Sequence, residues 1–278
     1  MTISPIQAVV SDAGRRLPFV TWSVCLRARS GGVLAELGAD RRLSTASVGK
    51  LLLLAEVARQ VEAGELEGDL LLSRQPSLMV GDSGLWQHLR ADALSVADLA
   101  VLIASVSDNL ATNVLLDHVG LGRVQALADE MGLCATALLD RVRDDRSPDD
   151  PPMLSVGTAG ELSRLMMDVV EDKVVSPAVS RRLADWMSLG VDMSMVASAF
   201  GLDPLAHTVS DRGVLLRNKT GTDIGVRADV GVVTGSAGTV AYAVIANWAE
   251  GEVSVRDEVL SVMRDIGTQV LRGVCAGR

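Results

Sequence analysis

The chain has 278 residues, 48% of them hydrophobic, enough for a substantial core in one large domain or two closely packed lobes. A formal charge of −9, with no basic run and only one tyrosine and two phenylalanines, excludes a nucleic-acid groove, which needs clustered cations and stacking rings. Cys25, Cys134 and Cys275 lack metal-like spacing and read as small buried apolar residues, so no disulfide framework, metal or cofactor is expected.

Taken in chain order, residues 3–14 predict a helix, and residues 19–28 alternate as a strand. Gly31-Gly32 turns that strand back into a second over 33–37. No basic residue precedes Arg15 and no apolar run is long enough for an export signal or a bilayer span, so a soluble, cytoplasmic protein with no membrane partner is expected if Met1 is the native start, and an exported one if that start was trimmed; a monomer is also expected. From about residue 44 to 199 the apolar period becomes helical, over 50–62, 95–106, 110–119, 122–131, 159–170 and 177–189. Residues 140–152, charged and rich in proline, break this region as a long surface loop. Strand patterns return over 214–217, 226–234 and 239–248, and an amphipathic helix over 257–270 closes the chain.

Strands at both ends around a helical middle predict an α/β (α+β) fold. One antiparallel sheet is built from both termini and flanked by helices, and an all-α lobe is inserted into it. The expected division is residues 1–45 plus 205–278 for the sheet lobe and 46–204 for the helical lobe, with a ligand cleft between them.

Three short stretches carry chemistry. In Ser47-Val48-Gly49-Lys50 the hydroxyl and the amine are three apart, on one face of a helix that Ser47 would open and residues 51–56 continue. Ser107-Asp108-Asn109 stands where two predicted helices meet, and Lys219-Thr220-Gly221 at the end of a predicted strand. Only three of the 26 basic residues are lysines, Lys50, Lys173 and Lys219, and two of these lie in the motifs. Where arginine serves every ordinary surface need, a lysine marks a place that needs an amine able to lose its proton. Singly, each motif has a structural reading: Ser47 and Asp108 as helix caps, Gly221 as a turn. Asp108 is read as mainly structural in any case. His88, His118 and His207 share no metal spacing, and Trp86 reads as packing or as a residue at the cleft mouth.

Together and in this order, the three stretches resemble the class A β-lactamase family and the wider group of penicillin-binding serine transpeptidases, from about residue 44 to near the C-terminus. The resemblance implies a serine hydrolase working through an acyl-serine on a β-lactam or related cyclic amide. Ser47 is then the nucleophile, neutral Lys50 its base, and Ser107 a proton relay across the cleft. It further implies an oxyanion hole from the Ser47 and Thr222 N–H groups. Asn109 would hold Lys50 and a substrate side chain, while Lys219, Thr220 and Arg227 would receive a substrate carboxylate. The sequence departs from the family at the loop glutamate that activates the deacylating water. Arg143 stands there, leaving Asp144 or Asp145 as substitute carboxylates and slow deacylation as the expectation. An intracellular esterase or acyltransferase on another substrate, or a protein that is acylated once and senses or binds, are the alternatives.

Overall fold

Ser4 Oγ accepts a hydrogen bond from Gln7 N–H and Pro5 fills the first turn, so the chain starts on a capped helix, α1 (Pro5–Arg16). The computed structural model describes residues 4–205, 209–249, 251 and 255–275. The hairpin β1 (Thr21–Ala28) and β2 (Val33–Leu37) follows, then the short β3 (Leu43–Ser44). The helical middle holds α2 (Lys50–Glu62), α3 (Val96–Val106), α4 (Asn109–Val119), α5 (Leu121–Glu130), α6 (Ala159–Val170) and α7 (Pro177–Met187). Four two- or three-residue strands thread through it: β4 (Leu71–Ser73), β5 (Ala93–Ser95), β6 (Ala137–Leu138) and β7 (Ser155–Gly157). The chain then returns through β8 (Leu215–Asp223), β9 (Val226–Gly235) and β10 (Gly238–Asn247) to α8 (Arg256–Val274).

The main sheet has the order β2-β1-β10-β9-β8, every neighbouring pair antiparallel. Pairing of β1 with β10, from Thr21 opposite Asn247 to Ala28 opposite Val240, joins the two ends of the chain in one sheet, as the strand patterns predict. The alternation of apolar residues gives the sheet two buried faces. One carries Trp22, Val24, Leu26, Tyr242 and Val244 against α1 and α8. The other carries Cys25, Val230, Val232, Ala243 and Ile245 against the helical region.

The first turns of α2 are apolar on every side, and Leu51, Leu52, Leu53 and Leu54 are all at most 1% exposed, as expected where a helix is buried all round. At about 1.5–3 kcal/mol per buried leucine, this run anchors the helix that follows Ser47. The position of Lys50 at its N-terminal end is therefore fixed by the core.

Several expectations are corrected. The two-stranded sheet β4-β5 and the three-stranded sheet β3-β7-β6 were not foreseen, because two or three residues carry no period. Cys134 is exposed rather than buried; it follows the turn that ends α5, outside the packed faces, while Cys25 and Cys275 are buried. His88 and His118 are exposed, Trp86 is fully buried, and His207, like Ile3 at the start of the first predicted helix, lies outside the described residues. Residues 140–152 form a loop without helix or strand. Among the described residues no helix is long and apolar enough to cross a membrane.

Candidate active site

Ser47 does not open α2. It sits in a short 3-10 turn, Ala46–Gly49, and the α-helix begins at Lys50 with no side-chain cap. The tighter turn still brings residues three apart onto one side, and its strain is visible at Ala46, where φ is 45°. Buried hydrogen bonds hold the turn: Thr45 Oγ1 and Ser155 Oγ are 2.7 Å apart, and Ser155 Oγ donates to Ala46 O over 2.6 Å. From the other side β8 presses on it. A Cβ at Gly221 would lie 2.1 Å from Thr45 O and 3.1 Å from Ser47 N, so only glycine allows the strand to lie flush against Ser47. Lys219-Thr220-Gly221 accordingly falls inside β8, not at its end, because ladder pairing continues to Asp223 opposite Val226.

Lys50 is wholly buried. Its Nζ donates to Ser107 O and to Asn109 Oδ1, each over 2.7 Å, and lies 3.3 Å from Ser107 Oγ. Among the described residues no hydrogen bond joins it to Ser47. Burial, reinforced by the Lys219 charge, pushes its amine well below the ordinary lysine value, against the opposing pull of Asp108 and Asp82. A neutral amine whose two hydrogens point at two carbonyl oxygens has its lone pair left for a proton from a serine.

Ser107 lies just beyond α3 in a left-handed conformation, φ 56° and ψ 37°, which costs a residue with a side chain about 1–2 kcal/mol. That turn sets its carbonyl on Lys50 and its hydroxyl toward the sheet, where Lys219 Nζ donates to Ser107 Oγ over 2.9 Å and to Thr220 O over 3.0 Å. Burial lowers the Lys219 amine to about 8, with Asp192 and Asp229 opposing the shift.

Asp108, 1% exposed, acts on Lys50 through its charge and, among the described residues, its side chain makes no hydrogen bond to Lys50, Lys219 or the Ser107 hydroxyl. Its Oδ1 caps α4 at Ala111 N–H, and its Oδ2 accepts from Leu85 and Trp86 N–H over 2.7 and 2.8 Å. It ties the 85–86 segment to the junction of α3 and α4 and so fixes Ser107 and Asn109 beside it. Trp86 packs in the core and donates Nε1–H to Ala91 O. Asn109 Nδ2 donates to Gly81 O, leaving Oδ1 for Lys50.

Two cavities meet at Ser47, Ser83 and Thr222. The inner one, about 180 Å3, is lined by Ser107, Asp192, Asn218, Lys219 and Thr220. The outer one, about 660 Å3, takes in Asn109, Arg143, Asp144, Arg227 and Arg256. Arg227 is 7% exposed, and its Nη1 donates to Val226 O and Asp223 O while Cζ lies 5.9 Å from the Trp248 ring centroid. Nine of the residues named from sequence, Ser47, Lys50, Ser107, Asn109, Arg143, Lys219, Thr220, Thr222 and Arg227, thus line or back one continuous cleft.

Three of the loop carboxylates, Asp140, Asp144 and Asp150, are engaged elsewhere. Asp140 accepts from Arg143 Nε over 2.7 Å, Arg146 Nη1 over 2.6 Å and Arg141 N–H over 2.8 Å. Burial alone would raise its carboxyl, but these bonds outweigh it and hold the group below the usual carboxylate range. Arg143 is also paired with Asp150 over 2.9 Å. Both Asp144 oxygens accept from Gly81 N–H, over 2.9 and 3.2 Å, and Asp145 is exposed.

Sequence reasoning missed Asp192, Asp82 and Ser83. Asp192 follows the β8-facing turn at Gly190, and hydrogen bonds from Ser194 and Thr220 overcome the effect of burial to hold its carboxyl low. None of the three lies in a motif, and only the fold brings them to Ser47. Among the described residues no group of histidines, cysteines and carboxylates could hold a metal ion.

The fold has close counterparts. A β-lactamase from Sphaerobacter thermophilus is 24% identical, with TM-score 0.82 over 98% of this chain and 96% of that one. A PBP-A mutant, described as an acyl-enzyme complex with penicillin G, is 22% identical, with TM-score 0.78 over 95% and 94%. An ancestral class A β-lactamase is 21% identical, with TM-score 0.78 over 96% and 98%. These likenesses establish the fold. The model of the family described as "Beta-lactamase enzyme family" matches residues 4–274, nearly the whole chain, and the protein therefore belongs to the β-lactamase enzyme family, a family of serine hydrolases.

Proposed function

We propose that the protein opens a β-lactam or related cyclic amide by transferring its acyl group to Ser47, and that it releases this acyl group slowly. The observation that carries the reading is Lys50: a buried amine, pushed well below its ordinary value, with two hydrogens committed to carbonyl oxygens. Its free lone pair accepts the Ser47 proton as Ser47 Oγ bonds to the substrate carbonyl carbon. The Ser47 and Thr222 N–H groups hold the carbonyl oxygen as it becomes anionic. As the carbon–nitrogen bond breaks, the proton held on Lys50 passes through Ser107 to the leaving nitrogen. The ester on Ser47 then completes the first half-reaction. Lys219, Thr220 and Arg227 hold the substrate carboxylate.

Slow release follows from the loop. Water that attacks the ester needs a base within hydrogen-bond reach, and the guanidinium of Arg143 cannot serve as one. Asp140 and Asp150 are paired with arginines, and both oxygens of Asp144 are turned to Gly81 N–H. The same engagement favours a second reading, in which one lasting acylation is the signal of a sensor.

Mixing the protein with a chromogenic β-lactam and weighing it tests both halves. A mass increase equal to the β-lactam on Ser47, persisting over many minutes, is expected. Rapid multiple turnover would overturn slow release, and absence of any adduct would overturn acylation. Steady turnover of a simple chromogenic ester, without lactam adduct, would identify an esterase instead.

A further inference from the structure

Behind the cleft, on the sheet face that packs against α8, a carboxyl is enclosed in the apolar core. Asp229 is wholly buried on β9, directly opposite Thr220 of β8 and beside Val230, the cross-strand partner of Lys219. Three donors reach it: Asn218 Nδ2 over 3.2 Å, Tyr242 OH over 3.1 Å, and Ala197 N–H over 3.3 Å. Asn218 Nδ2 also faces Asp192 O, and its Oδ1 has no partner among the described residues, so the amide is oriented by its acceptors. Asn218 lines the inner cavity beside Lys219, which makes it the link between the core acid and the site.

We infer that Asp229 is a positioning residue for the reaction: from the far face of the sheet, through Asn218 and the β8–β9 pairing, it adds its negative charge to that of Asp192 beside the Lys219 amine. This rests on the role given to Lys219 above. Both oxygens accept, Oδ1 from Asn218 and Tyr242 and Oδ2 from Ala197, an arrangement that fits the ionised carboxylate, which has two acceptors and no proton to donate. Burial raises the Asp229 carboxyl to about 7, the Asp192 charge adding to the rise and the three hydrogen bonds opposing it. The carboxyl and the Lys219 amine, lowered to about 8, therefore titrate in overlapping ranges. As pH rises through this window the acid becomes anionic and opposes that loss. The titratable groups that act on it are Lys219 of β8, Asp192 from the segment before β8, and Tyr242 of β10. The charged residues of α8, Arg256, Asp257, Glu258, Arg264, Asp265 and Arg272, are all exposed.

With three lysines in the chain, the amine can be followed directly in protein labelled with 13C at lysine Cε, assigned by Lys173→Arg and Lys219→Arg. In Asp229→Asn the Lys219 midpoint is expected to fall by about one pH unit, the shift of an opposite charge removed nearby. The exposed Lys173 should stay in place, and the alkaline limb of Ser47 acylation should move down with Lys219. Tyr242→Phe keeps the carboxyl but removes a donor that favours its anion, so a smaller fall in the same direction is expected, and this variant decides the matter if Asp229→Asn does not fold. An unmoved Lys219 midpoint overturns the inference even if acylation weakens. Failure of the unaltered protein to acylate at any pH would instead overturn the function proposed above, and the lysine titration would still decide the role of Asp229.

Discussion

Lys219 Nζ donates to Ser107 Oγ over 2.9 Å, across 112 residues of chain. An ammonium has no lone pair, so the Ser107 oxygen must accept here, and its own proton is free to point elsewhere. The nearest base is Lys50 Nζ at 3.3 Å. In the proposed reaction this contact would orient Ser107 as a relay between Lys219, whose amine is lowered to about 8, and Lys50, whose amine is pushed well below its ordinary value.

The pH dependence should show this division. Burial and the Lys219 charge push Lys50 well below its ordinary value, so acylation should rise as pH passes through that lowered point and Lys50 becomes neutral. It should fall again above about 8, where Lys219 loses its proton. Lys50→Arg keeps the charge but removes the base, and adduct formation followed by mass against pH should be abolished at every pH.

Ser107→Ala removes the relay and leaves the amine of Lys219 one acceptor short. Acylation should slow by about a hundredfold, the usual worth of a positioned proton donor. The circular dichroism spectrum should be unchanged, because Asp108, not the Ser107 hydroxyl, holds the α3–α4 junction.

Arg143→Glu places a carboxylate in the outer cavity beside Ser47. Release of the acyl group should accelerate by about tenfold or more if water reaches the new base. The same change removes two donors from Asp140 and sets like charges together, so stability should fall. Adduct lifetime and the urea midpoint, measured on the same variant, should both fall.

Gly221→Ala would set a methyl 2.1 Å from Thr45 O. Relief requires β8 to move off the Ala46–Gly49 turn, at a cost of about 1–3 kcal/mol. Because Thr222 and Ser47 would no longer face one another as they do, acylation should fall by about tenfold or more while Lys50 keeps its partners. Acylation at the ordinary rate would show that this contact does not set the geometry.

What could be read in the chain alone was what local pattern controls. The leucine run after Lys50, the strand alternation at both ends and the helical period between them suffice for the sheet of two termini and the helical middle, since each reports a face that must be buried. Scarcity of lysine pointed to Lys50 and Lys219 because charge type is a property of the residue itself. The short strands β3 to β7 were not legible, having no room for a period. Nor was the 3-10 turn under Ser47, which is held by Ser155 and Gly221 from distant segments.

The sequence by itself determined which groups are available: a serine, two amines, an amide, and an arginine where the family has a carboxylate. Only the tertiary structure decided their states. Burial beside Lys219 pushes the Lys50 amine well below its ordinary value, Asp144 is turned to Gly81, and Asp140 is closed in by Arg143 and Arg146. Protonation and reach depend on desolvation and on neighbours within a few ångströms, and those neighbours come from segments that folding alone brings together.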